Sequence, residues 1–283
     1  MLYLLRFAVV LLSIVIVRSA SNCSDRKFIE ESLGKVHIPV AAIIVVNATD
    51  TLYEQAFGYQ SLLPEHSIDI DNSIFTLASI SKTFIGVAVM QLVEKNLIDL
   101  DADINLYLSE PDRKIFHPQY PSHAITLRKL LSHTASINGT ISSLINFIRP
   151  DDTVFTSETA LADMYFTYFS PNSSHWLPKP PDTVAFYSNE GSSLAALVVE
   201  RVTKMPYDQY IKEFILKPLN IDIHKTGFRL SDFKNRKELV KHYVYAINES
   251  FLPLWNEEMP QFNITQILVK ALLSFIYNID LTL

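Results

Sequence analysis

A chain of 283 residues, 48% hydrophobic and 19% charged, holds enough apolar surface for one large folded domain or two intimate ones. Its formal net charge of −6, with no block of like charges, argues against nucleic acid and anionic membrane surfaces as partners. Cys23 is the single cysteine, which excludes an internal disulfide and leaves the fold to stand on its core.

Met1 to about Ser21 reads as a secretory signal peptide: Arg6 precedes an apolar core from Phe7 to Val17, and Ser19-Ala20-Ser21 close it. That core is short for a bilayer span, so no stable span is expected once the leader is cleaved, a signal anchor being the lesser alternative. Six Asn-x-Ser/Thr sequons, at Asn22, Asn47, Asn138, Asn172, Asn248 and Asn263, suit a secreted, extracellular glycoprotein. Ser24 to Lys35 has helical spacing through Phe28, Ile29 and Leu33, with Gly34 as the expected C-cap. Ile38 to Val46 is rich in β-branched residues, meets the turn cluster Asn47-Ala48-Thr49-Asp50, and resumes an extended pattern from Thr51 to Tyr59. This predicts a hairpin.

A short extended approach, Ile74 to Ala78, leads to Ser79. Beyond it Ile80, Phe84, Ile85, Val87, Ala88, Val89, Met90, Leu92 and Val93 are apolar on almost every side, which predicts a helix buried between layers. Ser79 stands at its first turn, where free backbone N–H groups and the positive end of the dipole favour developing negative charge. Lys82 follows three residues on, its amine on the same face and within reach of the hydroxyl. Ser-x-x-Lys recurs at Ser24/Lys27, Ser32/Lys35 and Ser231/Lys234, but there it opens no long apolar helix. As a bare pattern it fits equally a serine cap beside a snorkelling lysine.

From Leu97 to about Pro181 prolines punctuate the chain and strand-like alternation is absent, which predicts a helical insertion. Its helices are expected at Ile125 to His133, capped by Thr126, at Ile141 to Phe147 and at Ser157 to Phe169. Ala185 to Asn189 is a second extended approach, ending in Tyr187-x-Asn189 and followed by helices from Gly191 to Thr203 and from Tyr207 to Leu216. Six glycines give nucleotide-binding loops little to work with, and the Rossmann, Walker, nucleophile-elbow and His-Glu-x-x-His patterns are absent. The histidines lack ligand spacing, so neither cofactor nor metal is expected. Ile264 to Tyr277 has helical spacing too short to cross a bilayer.

Ser79-x-x-Lys82, a helical insertion and Tyr187-x-Asn189, in that order, resemble the serine β-lactamase and penicillin-binding-protein superfamily. The likeness is greatest to its class C, D-alanyl-D-alanine-carboxypeptidase-like branch. Phe75 to Phe84, Ile125 to Thr134 (similar to the family's "ITLRHLLTHTSG"), Phe186 to Asn189 and Lys217 to Ile221 extend it over roughly residues 25–230. The resemblance implies a two-lobed α/β (α+β) fold, a small antiparallel sheet with packed helices plus a helical insertion. Residues 22–96 would begin the α/β lobe, 97–186 form the insertion, and 187–283 return to the lobe. It also implies an acyl-serine mechanism on a small molecule or peptide carrying a carbonyl electrophile. Ser79 would attack, Lys82 would accept its proton, Tyr187 would share that role and later activate water, and Asn189 would hydrogen-bond the substrate amide or Lys82. The Ser79 backbone N–H would be one oxyanion donor.

The chain also departs from the pattern. The family's third element, Lys-Thr-Gly or His-x-Gly, lies on a strand well over a hundred residues past Tyr-x-Asn. Lys225-Thr226-Gly227 matches its letters but lies 36 residues past Asn189, just after the Pro218-Leu219 turn, and is read as a decoy. With no later candidate, the sheet is expected to be incomplete on its C-terminal side, leaving the hairpin edge without its usual partners. The second oxyanion donor would be missing too, a loss that typically costs about 10²–10³ in rate. Thr134-Ala135-Ser136-Ile137 stands where the family has Thr-Ser-Gly-Leu. Three readings follow: a secreted serine hydrolase with an impaired site, a non-catalytic secreted binding or matrix protein derived from one, or a truncated product of an active enzyme.

Overall fold

The computed structural model describes residues 24–108, 113–139 and 165–243. The leader, Cys23, Asn22, Asn248 and Asn263, the runs Ile141 to Phe147 and Ile264 to Tyr277, and most of Ser157 to Phe169 lie outside the described residues. Chain contacts divide the rest into two compact units, 24–75 with 237–243, and the described part of 76–236.

The first unit is mixed α/β. Helix α1 (Ser24–Lys35) precedes strands β1 (Val40–Val46), β2 (Thr51–Leu62) and β3 (Glu65–Ser67). They form an antiparallel sheet in the order β1-β2-β3. The hairpin stands where the sequence puts it, with Val40 opposite Gly58 and Val46 opposite Thr51. Asn47 makes the turn, its Oδ1 accepting the N–H groups of Thr49 (2.8 Å) and Asp50 (2.6 Å). Gly34 is not the cap of α1. His37, three residues later, takes the left-handed φ of +56°, and the bonds His37 N–H to Gly34 O (3.2 Å) and Ile38 N–H to Leu33 O (2.9 Å) form a Schellman ending there. Gly58, at φ +80°, is obligatory, because a Cβ there would collide with the Pro39 carbonyl oxygen.

Residues 237–243 run beside this sheet. Ile74 and Leu239 form a parallel bridge, Lys241 N–H donates to Gln60 O (2.9 Å), and Leu62 N–H donates to the Tyr243 hydroxyl (2.6 Å). The buried Gln60 side chain accepts from Ser73 Oγ (2.6 Å) and donates to the Lys237 carbonyl. Ile74 to Ala78 is therefore no strand beyond its single bridge. Among the described residues nothing pairs with the outer edge of β1, where Ile44 and Val46 are exposed.

The second unit is helical. After a 3₁₀ turn (Ala78–Ser81) come α2 (Lys82–Glu94), α3 (Asn105–Leu108), α4 (Leu127–Leu131), α5 (Asn189–Thr203) and α6 (Tyr207–Ile211), the last running into a π-helical turn, Lys212–Leu216. Ile85, Ala88, Val89 and Leu92 of α2 pack with Leu127 and Leu130 of α4 and with Leu194, Leu197 and Val198 of α5 in one core. Burying side chains of this kind contributes about 1.5–3 kcal/mol each. The expectation that α2 is covered on every side is not met. Ile80 just before it, then Val87 and Met90, are exposed, whereas α5, α6 and the π-helical turn pack against the helix through its buried face. Ser136 takes φ +61° where the family has glycine; its Oγ donates to Lys179 O (2.5 Å), a bond glycine could not make.

Three histidines of this unit lie below the ordinary histidine pKa of 6.5, in each case chiefly through burial: His117, His133 and His175. His117 is fully buried against Tyr120 and Trp176, its Nε2–H donating to Leu177 O (2.8 Å) and its Nδ1 accepting from Gln119 N–H (3.2 Å). The unfolded chain takes up these protons near pH 6.5, the folded chain only at lower pH. Their contribution to stability is whole above pH 6.5 and is lost as pH falls through the depressed folded values. The urea midpoint is expected to drop between pH 7.5 and 5.5, and His117→Gln, which keeps a donor for Leu177 but cannot titrate, should narrow the drop. An unchanged gap in His117→Gln would refute this assignment.

Candidate active site

Ser79 rides on the 3₁₀ turn that leads into α2, not within α2 itself. Ala78 enters that turn at φ +46°, and Ile80 N–H closes it on Leu77 O (3.0 Å). A non-glycine residue in the left-handed region costs about 1–2 kcal/mol, and such strain collects where a side chain must be presented. Ser79 is exposed at this corner. Lys82, the first residue of α2, is half-buried, and its Nζ donates to Ser79 Oγ (3.2 Å) and to Asn189 Oδ1 (2.6 Å).

Tyr187 and Asn189 arrive from the far side of the insertion. Ser188 caps α5, its Oγ accepting Gly191 N–H (3.0 Å) and donating to the buried Glu190 carboxylate (2.9 Å). Asn189 is thereby the first residue of a long helix, and Tyr187 stands just before the extended cap residue Ser188. The Tyr187 hydroxyl donates to Ser79 Oγ at 2.6 Å, and Lys82 Nζ lies 4.9 Å from the Tyr187 ring centroid. The structure thus brings the four residues named from the sequence into one chain of contacts: Lys82 and Tyr187 bond to Ser79 Oγ, and Asn189 bonds to Lys82. Of the two partners expected for Asn189, the structure places it on Lys82.

Charge sets the protonation of this cluster. Burial raises the Tyr187 pKa, but its hydrogen bonds with Lys82 and Ser79 and the lysine charge together outweigh burial, so the phenol lies below the ordinary tyrosine range. At His133 burial acts first and the Lys82 charge second, both holding the imidazole neutral. Lys225-Thr226-Gly227 lies in irregular chain, with Gly227 packed against Asp232 and Phe233, and on no strand. Among the described residues there is no group of His, Cys, Asp and Glu side chains fit to hold a metal, and no helix long and apolar enough to cross a membrane.

The contribution of His133 is missed from sequence. It lies inside the Ile125 to Thr134 match, but nothing in that run gives its side chain a task. In the structure its backbone carbonyl accepts Phe186 N–H (2.8 Å) and its Nδ1 accepts Ser188 N–H (3.3 Å).

The Beta-lactamase family model matches residues 26–250. Penicillin-binding protein 4* of Bacillus subtilis is 26% identical over 221 residues, which span 76% of this chain and 43% of that protein. Among solved structures, the octameric penicillin-binding protein homologue from Pyrococcus abyssi aligns with a TM-score of 0.63 at 23% identity, over 79% of this chain and 48% of its own. EstCE1, a hydrolase with promiscuous acyltransferase activity, gives a TM-score of 0.63 at 20% identity, over 78% and 56%. The fold is therefore β-lactamase-like, and the chain spans less than half the length of the Bacillus relative. Lys82→Met is expected to raise the Tyr187 pKa, since burial would then act with less opposition. Titrating tyrosine Cζ resonances, with Tyr187→Phe for assignment, measures it, and an unmoved or lower pKa would refute the electrostatic account.

Proposed function

We propose that this chain, which belongs to the β-lactamase family, is a secreted serine hydrolase opening amide or ester carbonyls through an acyl-serine intermediate. The observation that carries the proposal is the convergence of Lys82 Nζ (3.2 Å) and the Tyr187 hydroxyl (2.6 Å) on Ser79 Oγ. A serine hydroxyl is a weak nucleophile until a base takes its proton. Tyr187 is the better base of the two: Lys82 donates to both Ser79 and Asn189, and its positive charge favours a phenolate beside it.

In this scheme the Tyr187 oxygen takes the Ser79 proton as Oγ forms a bond to the substrate carbonyl carbon. The tetrahedral oxyanion faces the Ser79 backbone N–H and the start of α2. Collapse expels the amine or alcohol, which leaves with the proton held by Tyr187. Water then gives a proton to Tyr187, attacks the ester carbon, and releases the acid while Ser79 recovers its proton. Substrates are small molecules or peptides with a reactive carbonyl; neither cofactor nor metal enters the scheme. The apolar leader and the sequons support a secretory route.

The exposure of the cluster, with Tyr187 49% accessible, favours a second reading, a family member that binds carbonyl compounds without turning them over. Labelling decides between them. A fluorescent fluorophosphonate or penicillin should mark the wild type at one site, Ser79→Ala should abolish the mark, and Tyr187→Phe should slow it by about 10²–10⁴-fold. A folded wild type that stays unmarked, with both variants indistinguishable from it, would overturn the hydrolase reading.

A further inference from the structure

The loop that follows α4 meets the loop that carries Tyr187 at Thr134, whose carbonyl accepts Asp182 N–H (2.7 Å), and at His133, which makes the contacts beside Tyr187 itself. His133 sits at φ +60°, a conformation that favours glycine or asparagine. Helix ends of this kind usually take glycine, so a histidine held there points to a use for its side chain. That side chain and its backbone grip three consecutive residues. The His133 carbonyl accepts Phe186 N–H (2.8 Å), its ring lies against the Tyr187 ring with centroids 4.5 Å apart, and its Nδ1 accepts Ser188 N–H (3.3 Å). Tyr187 is itself half exposed, with its hydroxyl on Ser79 and Lys82 Nζ over its ring.

We propose that His133 is the positioning residue of this site: its neutral imidazole, protonated on Nε2, holds the peptide on the C-terminal side of Tyr187 and one face of the ring, and so fixes the phenol oxygen on Ser79 Oγ. This rests on the acyl-serine reading given above. An Nδ1 that accepts from Ser188 N–H cannot carry a proton, and a charged ring would set two N–H groups against each other beside the Lys82 ammonium. Burial and that ammonium hold the ring neutral. A phenol displaced by about 1 Å from the serine can lose about 10²-fold in rate without any change in what binds.

The test compares substitutions in the whole chain. His133→Leu and His133→Gly remove the acceptor, the second without backbone strain, whereas His133→Asn keeps an oxygen close to the place of Nδ1 and accepts a positive φ. With a fluorophosphonate probe, the saturating labelling rate and the half-saturating concentration are measured separately. The expected result is a fall of about 10–100-fold in the saturating rate for Leu and Gly, little change in half-saturation, and recovery to within about threefold in Asn. A saturating rate unchanged in Gly, or an Asn variant as slow as Gly, would overturn the proposal. The Ser79→Ala control separates this from failure of the hydrolase reading. If the wild type is not labelled through Ser79, crystal structures of the wild type and of whichever acceptor-less variant folds decide instead. A Tyr187 oxygen moved off Ser79 Oγ supports positioning, and one that keeps its hydrogen bond rejects it.

Discussion

The hydrogen bond from Lys82 Nζ to Asn189 Oδ1 is the contact on which the site depends. It joins residues 107 positions apart, and the two helices it links, α2 and α5, share one core. A half-buried ammonium loses part of its water and needs oxygen acceptors in return. Asn189 supplies one and Ser79 another, so the cost of placing the charge is offset by the groups it organises. The same charge favours the phenolate of Tyr187 and disfavours a charged His133. One cation thereby pushes both neighbours the same way, lowering each pKa and favouring the proton-free form of the phenol and of the imidazole.

The core makes that contact reproducible. Ile85, Ala88, Val89 and Leu92 anchor α2, while Leu194, Leu197 and Val198 anchor α5, and each helix carries a polar residue at its beginning. Ser188 and Glu190 tighten the start of α5 from within, through a buried hydroxyl that accepts from Gly191 and donates to the carboxylate. The site is therefore held by two helix ends, and its one loop-borne member, Tyr187, is the one that needs a separate support.

Much of this is legible in the residues alone, for reasons that differ by element. Ser79, Lys82, Tyr187 and Asn189 can be found because two short motifs carry them and their order along the chain is informative. The hairpin is legible because a β-branched run meets the turn cluster Asn47 to Asp50 and an extended pattern resumes after it. Three features are not. The exposure of Val87 and Met90 on α2 among the described residues cannot be foreseen, since an apolar surface says that it would gain from cover and not that cover exists. His37 replaces Gly34 at the end of α1 because a Schellman ending is fixed by where the next strand must start. His133 stays hidden because its hydrogen bonds go to backbone atoms of distant residues, Phe186 and Ser188, and backbone partners leave no signature in side-chain identity.

Gly58 carries a consequence of another sort. The β2 backbone passes so close to the Pro39 carbonyl that no side chain fits, and the torsion itself disfavours every L-residue. Any codon change there that inserts an amino acid must pry the two strands apart, whatever the chemistry of the newcomer. Among sequences descended from this one, that site should stay frozen while the exposed residues beside it drift, and the freeze would report geometry alone.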